Sequence, residues 1–563
     1  MEIIKDSPSK RYIDWINCVN DEDLLNELKS MEVCEINEAF ACDLEFGTGG
    51  QRGVLGAGTN RLNVYTVAKT TQGIANYLVK KYDFPSVAIS YDSRHKSEVF
   101  AKKVASIFAG NGIKAYIYPE LMPTPCLSFA TRFLKCLAGV MITASHNPAQ
   151  YNGYKVYGED GCQITTEATK EISLEINRID IFKDIKEVDY ENGVKSGLIK
   201  IIENDVYDAF INNVNAQSVL YGDSINKHIK IVYTPLNGTG LKPVLRALKA
   251  NGYDDVIVVK EQEKPDGNFP TCKSPNPENK EALVLGIEYA KNNNAELVLA
   301  TDPDCDRVGI AVKQGDEFLL LSGNETGTLL FDFICSQRIK HNTMPKHPYV
   351  VKTIVTTELI ESVAKKYNVS VKNVLTGFKY IGEQIGLDSD NYIFGLEESY
   401  GYLSGTYVRD KDAVNASLLI VEMYAFYKAQ GKTLIDRLKE IYDTYGYYKN
   451  SLYTFVFEGQ AGKKQMASIM DKIRGGIETV AGYQVTKVLD YSKGENGLPL
   501  SNVIQMRLAT DICLTIRPSG TEPKLKMYIS VVDSNQKKAE EKEGSIVSYM
   551  KEFLYNNEQG EAK

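Results

Sequence analysis

LAGVMITASHNP, residues 137–148, is an apolar run that stops at small polar residues and a proline. It reads as a strand whose end opens into a loop. Upstream, SVAISYD (residues 86–92) reads as a strand, SEVFAKKVASIFAGNG (97–112) as a helix ending at glycine, and KAYIYPE (114–120) as another strand. Regular alternation of this kind predicts an α/β layer structure.

The rhythm recurs twice. KIVYTP, LKPVLRALKANG, DVIVVKEQ and AELVLATDPD form a second series within residues 230–304. YVVKTIVTT, a helix over 358–367, NVLTGFKY and YIFGLEES form a third. From about residue 447 the texture changes, and SLYTFVFEG, a helix near KKQMASIMDKI, VIQMRLATD and DICLTIRPSG predict a smaller α+β module. At a soft prior of ~150 residues per domain, 563 residues imply about four domains. The expected divisions are 1–205, 206–323, 324–446 and 447–563, with the charged segment 180–197 joining the first two. Ahead of the first module, YIDWINCV and DEDLLNELKSM predict amphipathic helices, the second capped by Asp21. FGTGGQRGVLGAGTNRLN, residues 46–63, reads as a long loop by composition.

Several function classes lose support. No apolar run reaches the ~18 residues of a membrane span, and the charged N-terminus lacks the apolar core of a signal peptide. Ten cysteines lie scattered from Cys18 to Cys513 with no C-x-x-C pair, which predicts free thiols in a reducing, cytoplasmic setting. A net charge of −8 disfavours nonspecific nucleic-acid binding. Phe426 breaks the Walker pattern that Gly431-Lys432-Thr433 invites, and Arg52 breaks the dinucleotide fingerprint begun by Gly47 and Gly49. There is no G-x-S-x-G elbow and no H-E-x-x-H zinc spacing.

Four loops remain. DPDCDR (302–307) brings Asp302, Asp304 and Asp306 together at a strand end, where their mutual repulsion favours a hard cation such as Mg2+. A solvated acidic turn is the plainer alternative. TASHNP (143–148) exposes Ser145, which could carry a phosphate at a strand-to-helix turn, or could equally be a helix cap. RPSGTEPK (517–524) offers a guanidinium, two hydroxyls and a flexible backbone to a phosphate. GLEESYGY (395–402), with RDKD (409–412), offers carboxylates and hydroxyls to a sugar. Each of the last two also fits ordinary turn or helix-start chemistry.

Together the four loops resemble those of the α-D-phosphohexomutase superfamily in order and spacing. FGTGGQRG (46–53) and GFKYIGE (377–383) extend the resemblance over nearly the whole chain. TASHNPAQYNGYKVYGEDGCQ and GYLSGTYVRDKDAV are similar to the phosphoglucomutase branch, which includes bacterial α-phosphoglucomutases and phosphopentomutase-like enzymes. The resemblance implies three α/β domains with mixed sheets plus a smaller C-terminal α+β domain, all four around a central cleft. It implies that Ser145 is a phosphoserine. Asp302, Asp304, Asp306 and a phosphoserine oxygen would then hold one Mg2+ per chain, with Arg307 on the same phosphate. Glu397 and Ser399 would meet the sugar, and Arg517, Ser519, Gly520 and Thr521 its non-reacting phosphate. Arg52, Lys155, Lys379 and Lys411 fall in other cleft stretches, and Arg52, His146, Lys155 and Lys411 are the candidate proton carriers.

The implied reaction interconverts glucose 1-phosphate and glucose 6-phosphate, with glucose 1,6-bisphosphate as intermediate and activator. Mannose or pentose phosphates, or a noncatalytic sugar-phosphate binder, are the alternatives. The expected partner is a small phosphosugar, not nucleic acid or membrane, and the chain is expected to be a monomer or homodimer. Two positions depart from the family pattern. Cys305 replaces a residue that is more often alanine or glycine, and Lys526 stands where some relatives have arginine. Lysine keeps the charge but loses the bidentate fork.

Overall fold

The computed structural model describes residues 7–457, 459–519 and 524–555. Strands β1 (Gly50–Val54), β2 (Ser86–Tyr91), β3 (Lys114–Ile117), β4 (Ala138–Ile142), β5 (Tyr151–Gly158) and β6 (Ile199–Ile201) form one sheet in the order β1-β5-β4-β2-β3-β6. β7 (Ile231–Thr234), β8 (Val256–Val258), β9 (Leu297–Thr301), β10 (Val308–Gln314) and β11 (Glu317–Leu321) form a second, ordered β11-β10-β9-β7-β8. A third contains β12 (Tyr349–Thr353), β13 (Ser370–Val374), β14 (Tyr392–Glu397) and β15 (Gly401–Leu403) in the order β13-β12-β14-β15. The fourth, from β16 (Tyr447–Val456), β17 (Thr479–Val480), β18 (Tyr483–Asp490), β19 (Ile504–Leu508), β20 (Ile512–Pro518) and β21 (Lys524–Asp533), is ordered β16-β21-β20-β19-β18-β17 and is antiparallel throughout.

The first three sheets share one plan: a parallel centre with an antiparallel return at one side. β4 runs parallel to β2 but turns back as β5; β9 runs parallel to β7 but turns back as β10; β14 runs parallel to β12 but turns back as β15. β20 turns back as β21 in the same way. All four loops singled out in the sequence are therefore hairpin turns. This corrects the strand-to-helix reading of TASHNP, since Thr143–Gln150 leads into β5 rather than a helix.

Both faces of the first sheet are covered. Val87, Ile89, Val140 and Ile142 pack into one apolar cluster, while the alternating Ala88 and Met141 join another. That second cluster runs on through Val308 and Leu330 to Tyr407 and Leu418, so the first three units share a continuous core. At its middle, the rings of Phe129, Phe210 and Tyr407 meet with centroids 5.8–6.4 Å apart. The fourth unit has a separate core and meets the third through a small group that includes Ile354, Leu375 and Tyr491.

Three expectations need correction. Residues 50–54 of the glycine-rich stretch are a strand, not loop, because they pair antiparallel with β5; a Cβ on Gly50 would lie 1.9 Å from the Tyr154 carbonyl oxygen, so glycine allows that close backbone approach. Segment 180–197 does not bridge the first two units, because it runs into β6 of the first sheet. The divisions at 205/206 and 323/324 fall inside the helices Asn204–Asn215 and Gly323–Lys340. The N-terminal helices Pro8–Cys18 and Glu22–Ser30 form as read, with Asp21 accepting from Leu24 N at 3.0 Å. Among the described residues, no helix is long and apolar enough to cross a membrane.

Candidate active site

Hairpins from the four sheets converge on a cavity of about 840 Å³. His146 comes from the first, Arg307 from the second, Glu397 and Ser399 from the third, and Arg517 from the fourth. Arg52, on β1, and Lys411 also line it. So do Lys524 and Lys526, which places the lysine that departs from the family pattern in the same basic wall as Arg517.

Behind His146, Arg307 and Lys411 lies a buried floor. Ser145 Oγ donates to Asp302 Oδ2 at 2.7 Å and sits 3.3 Å from His146 Nδ1. Ser145 adopts a left-handed backbone, with φ 52°. Its amide donates to Thr143 Oγ1 at 2.8 Å, and Thr143 Oγ1 donates to the buried Asp92 at 2.6 Å. Arg94, also buried, donates to the carbonyls of Ser145, Asn147, Pro148 and Tyr151, and its guanidinium stacks on Phe269 at 5.0 Å. Asp92 and Arg94 were not singled out in the sequence. Their signal was position, just beyond strand β2, the same place that marked the other loops.

The three aspartates each offer an oxygen within 4.8 Å of the others. Asp302 Oδ1 accepts from the amides of Asp306 at 3.1 Å and Arg307 at 3.0 Å. Asp304 Oδ2 accepts from Thr124 Oγ1 at 2.8 Å and Lys155 Nζ at 2.7 Å. Asp306 Oδ2 faces Lys155 at 3.4 Å and Lys411 at 3.3 Å. Asp304 Oδ1 and Asp306 Oδ1 are buried with no hydrogen-bond partner. Two such carboxylate oxygens beside a third carboxylate are costly without a cation. An all-oxygen set suits Mg2+, so these residues fit the ion the sequence implies.

The electrostatics follow from this crowding. Burial raises the Asp302 carboxyl well above the usual range, and Asp304 and Asp306 push the same way. Burial also acts on Asp306, but Lys411, Lys155 and Arg307 outweigh it and hold that carboxyl low. Burial works to lower Lys155 and Lys411; the carboxylates win, and both stay firmly charged. His146 is lowered well below the usual histidine value by burial and by Arg307 and Arg52, so its imidazole is neutral near pH 7.

Around the cavity, Arg307 donates to Glu278 at 3.1 Å, a lining carboxylate the sequence reading missed. Arg52 donates to Asn147 Oδ1 at 3.0 Å. Glu397 accepts from the Gly377 amide at 2.9 Å, and burial raises its carboxyl. Lys379 does not join the lining; its ammonium lies 4.8 Å from the Tyr380 ring centroid. The Ser519 amide donates to Lys524 O at 2.7 Å, closing the β20–β21 turn. Gly520 and Thr521 lie outside the described residues. Cys305 is fully buried, and a Cβ on Gly240 would lie 3.0 Å from its sulfur, so it packs as a small filler.

This fold and this convergence of loops define an α-D-phosphohexomutase. Residues 43–182, 208–315 and 322–445 match the alpha/beta/alpha domains I, II and III of the phosphoglucomutase/phosphomannomutase family. A phosphoglucomutase of Staphylococcus haemolyticus is 39% identical, over 92% of this chain and 96% of its own length. The solved Paramecium phosphoprotein pp63/parafusin superposes with a TM-score of 0.67 at 18% identity, over 91% of this chain and 94% of its own. An Aspergillus fumigatus N-acetylphosphoglucosamine mutase, solved with GlcNAc-6P and magnesium, gives 0.50 at 13% identity, over 97% and 99%. The chain belongs to the phosphoglucomutase/phosphomannomutase family, in its phosphoglucomutase branch.

Proposed function

We propose that this chain interconverts glucose 1-phosphate and glucose 6-phosphate, with Ser145 as phosphate carrier and glucose 1,6-bisphosphate as intermediate. One observation carries this reading. Ser145 Oγ lies 2.7 Å from Asp302, buried beside His146, and His146 lines the same cavity as Arg517, Lys524 and Lys526. One end of a sugar phosphate can be gripped while the other faces the serine.

Asp302, Asp304, Asp306 and an oxygen on Ser145 would hold Mg2+, which draws charge from the transferring phosphoryl group. The remaining work falls to the chain. Arg517, with Lys524 and Lys526, binds the non-reacting phosphate. Glu397 and Ser399 orient the sugar hydroxyls. Arg307 faces the phosphoryl oxygens once released from Glu278. As the O–P bond forms at the C6 hydroxyl and breaks at Ser145, the hydroxyl proton needs an acceptor. His146 is uncharged in this state and can accept it, whereas Lys155 and Lys411, held as ammonium ions by the surrounding carboxylates, offset the negative charge of the site. The bisphosphate then turns around, and its second phosphate is transferred back to Ser145. Closure over the sugar keeps water from hydrolysing the phosphoserine.

The staphylococcal relative favours glucose, and a side-by-side assay of glucose, mannose and ribose 1-phosphates, with glucose 1,6-bisphosphate supplied, tests that choice. Ser145→Ala is expected to abolish turnover, and intact mass of the wild type to show a fraction heavier by one phosphoryl group. Near-normal mutase activity in Ser145→Ala would end the proposal. The ten unpaired cysteines support a reducing, cytoplasmic location.

A further inference from the structure

Thr124 opens the helix Thr124–Phe133 of the first unit, directly after Pro123. It is fully buried, and it reaches across to the second unit twice. Its amide donates to the Asp304 carbonyl at 2.9 Å, and its hydroxyl donates to Asp304 Oδ2 at 2.8 Å. We infer that Thr124 is a positioning residue for the metal site: its hydroxyl sets the rotation of the Asp304 carboxylate so that the partnerless Oδ1 faces the cation. The inference rests on the reading of Asp302, Asp304 and Asp306 as cation ligands.

Three features of the geometry support it. First, the carboxylate has two oxygens with opposite surroundings: Oδ2 takes two hydrogen bonds, and Oδ1 is buried with none. A carboxylate held on one oxygen presents the other in a fixed direction, as outer-shell partners do for metal ligands. Second, the other group on Oδ2 is Lys155, which also faces Asp306 at 3.4 Å. Its stem is flexible and its ammonium is a candidate proton carrier, so it is a poor fixed restraint. Thr124 has a β-branched side chain with few rotamers and is anchored at its backbone as well. Third, the bond does not depend on the catalytic cycle. The Ser145–Asp302 hydrogen bond also ties the two units, but a phosphoryl group on Ser145 replaces the hydroxyl hydrogen and removes that donor. Thr124 keeps its two bonds to Asp304 in either state.

The test is Mn2+ binding, followed by electron paramagnetic resonance, with Mg2+ as competitor. It uses the full chain as wild type, Thr124→Val and Thr124→Ser. Circular dichroism and thermal melting check that each variant folds. Thr124→Val keeps the shape and loses the donor, so Mn2+ should bind about 10- to 100-fold more weakly. Thr124→Ser keeps the donor and should bind close to wild type. At saturating metal, the KM for sugar phosphate should be unchanged in both. If Thr124→Val fails to fold, Thr124→Ala reads the same loss. A folded Val or Ala variant with wild-type Mn2+ affinity would overturn the inference. So would a Ser variant as weak as Val, since the methyl rather than the hydroxyl would then matter. Wild-type chain that bound no Mn2+ would instead remove the metal reading on which the inference stands.

Discussion

Ser145 is mounted on backbone that side chains other than glycine rarely adopt, at φ 52°. Such a conformation costs roughly 1 kcal/mol or more and persists only where the surroundings hold it. Here the hold is Arg94, whose guanidinium satisfies four carbonyls of the turn, backed by Asp92. Lysine in its place keeps the charge but cannot reach four acceptors from one fork. Arg94→Lys is expected to lower kcat by ~10²-fold through misplacement of Ser145, with the KM for sugar phosphate little changed; steady-state kinetics would check it. At this scale the sequence was informative wherever chemistry is crowded. Three aspartates in six residues are legible because their repulsion needs an explanation. Thr124 was not legible, because a threonine before proline at a helix start is ordinary, and its partner lies far along the chain. Lys379, singled out for its family-like stretch, has its ammonium near the Tyr380 ring rather than among the residues lining the cavity.

The hairpin is the element that repeats, and the sequence showed only half of it. The apolar runs that became β4, β9 and β14 were readable as strands. Their antiparallel return was not, because pairing is set by partners that local pattern does not encode. Support for the aspartate turn comes from another loop: Thr239 donates to the Pro303 carbonyl through both its amide, at 2.8 Å, and its hydroxyl, at 2.9 Å. A Cβ on the neighbouring Gly238 would lie 2.4 Å from Pro303 Cα. Gly238→Ala is therefore expected to destabilise the fold by about 1–3 kcal/mol and to weaken metal binding, as denaturant melts and Mn2+ titration would show. A different element carries a pH dependence. Glu422, in the helix Ala413–Ala429, is buried and accepts from the Val219 amide at 3.1 Å. Burial pushes its carboxyl up from 4.5 to about 7, despite the opposing hydrogen bonds of Ser218 and Val219. Between those values the folded chain holds a proton that the unfolded chain has released. Stability from this group is therefore full below about 4.5 and declines as pH rises toward 7. The loss approaches about 3 kcal/mol at ~1.4 kcal/mol per pH unit. Glu422→Gln is expected to flatten that decline, so that its advantage over wild type in urea melts grows from pH 5 to pH 8.

Across the whole molecule, three units share one core while the fourth has its own and joins through a smaller contact. A sugar phosphate spanning the cavity adds a bridge between the fourth unit and the others. Ligand at 100 times its Kd should stabilise the folded chain by about 2.7 kcal/mol, read as a rise in Tm. Arg517→Ala should lose most of that rise while leaving the ligand-free Tm nearly unchanged. The broad plan of three α/β units and an α+β unit was legible from alternation alone. The divisions between units were not, since the helices Asn204–Asn215 and Gly323–Lys340 run through two of them.

The separate fourth unit also has a bearing on synthesis. A ribosome makes Ser145 and the aspartate turn before the stretch that carries Arg517. A nascent or truncated polypeptide would thus own the phosphate carrier without the anchor that makes transfer to a sugar productive. On the proposed reading, such a fragment could lose its phosphate to water but could not isomerise anything, and isomerase activity would mark translation past the last hairpin.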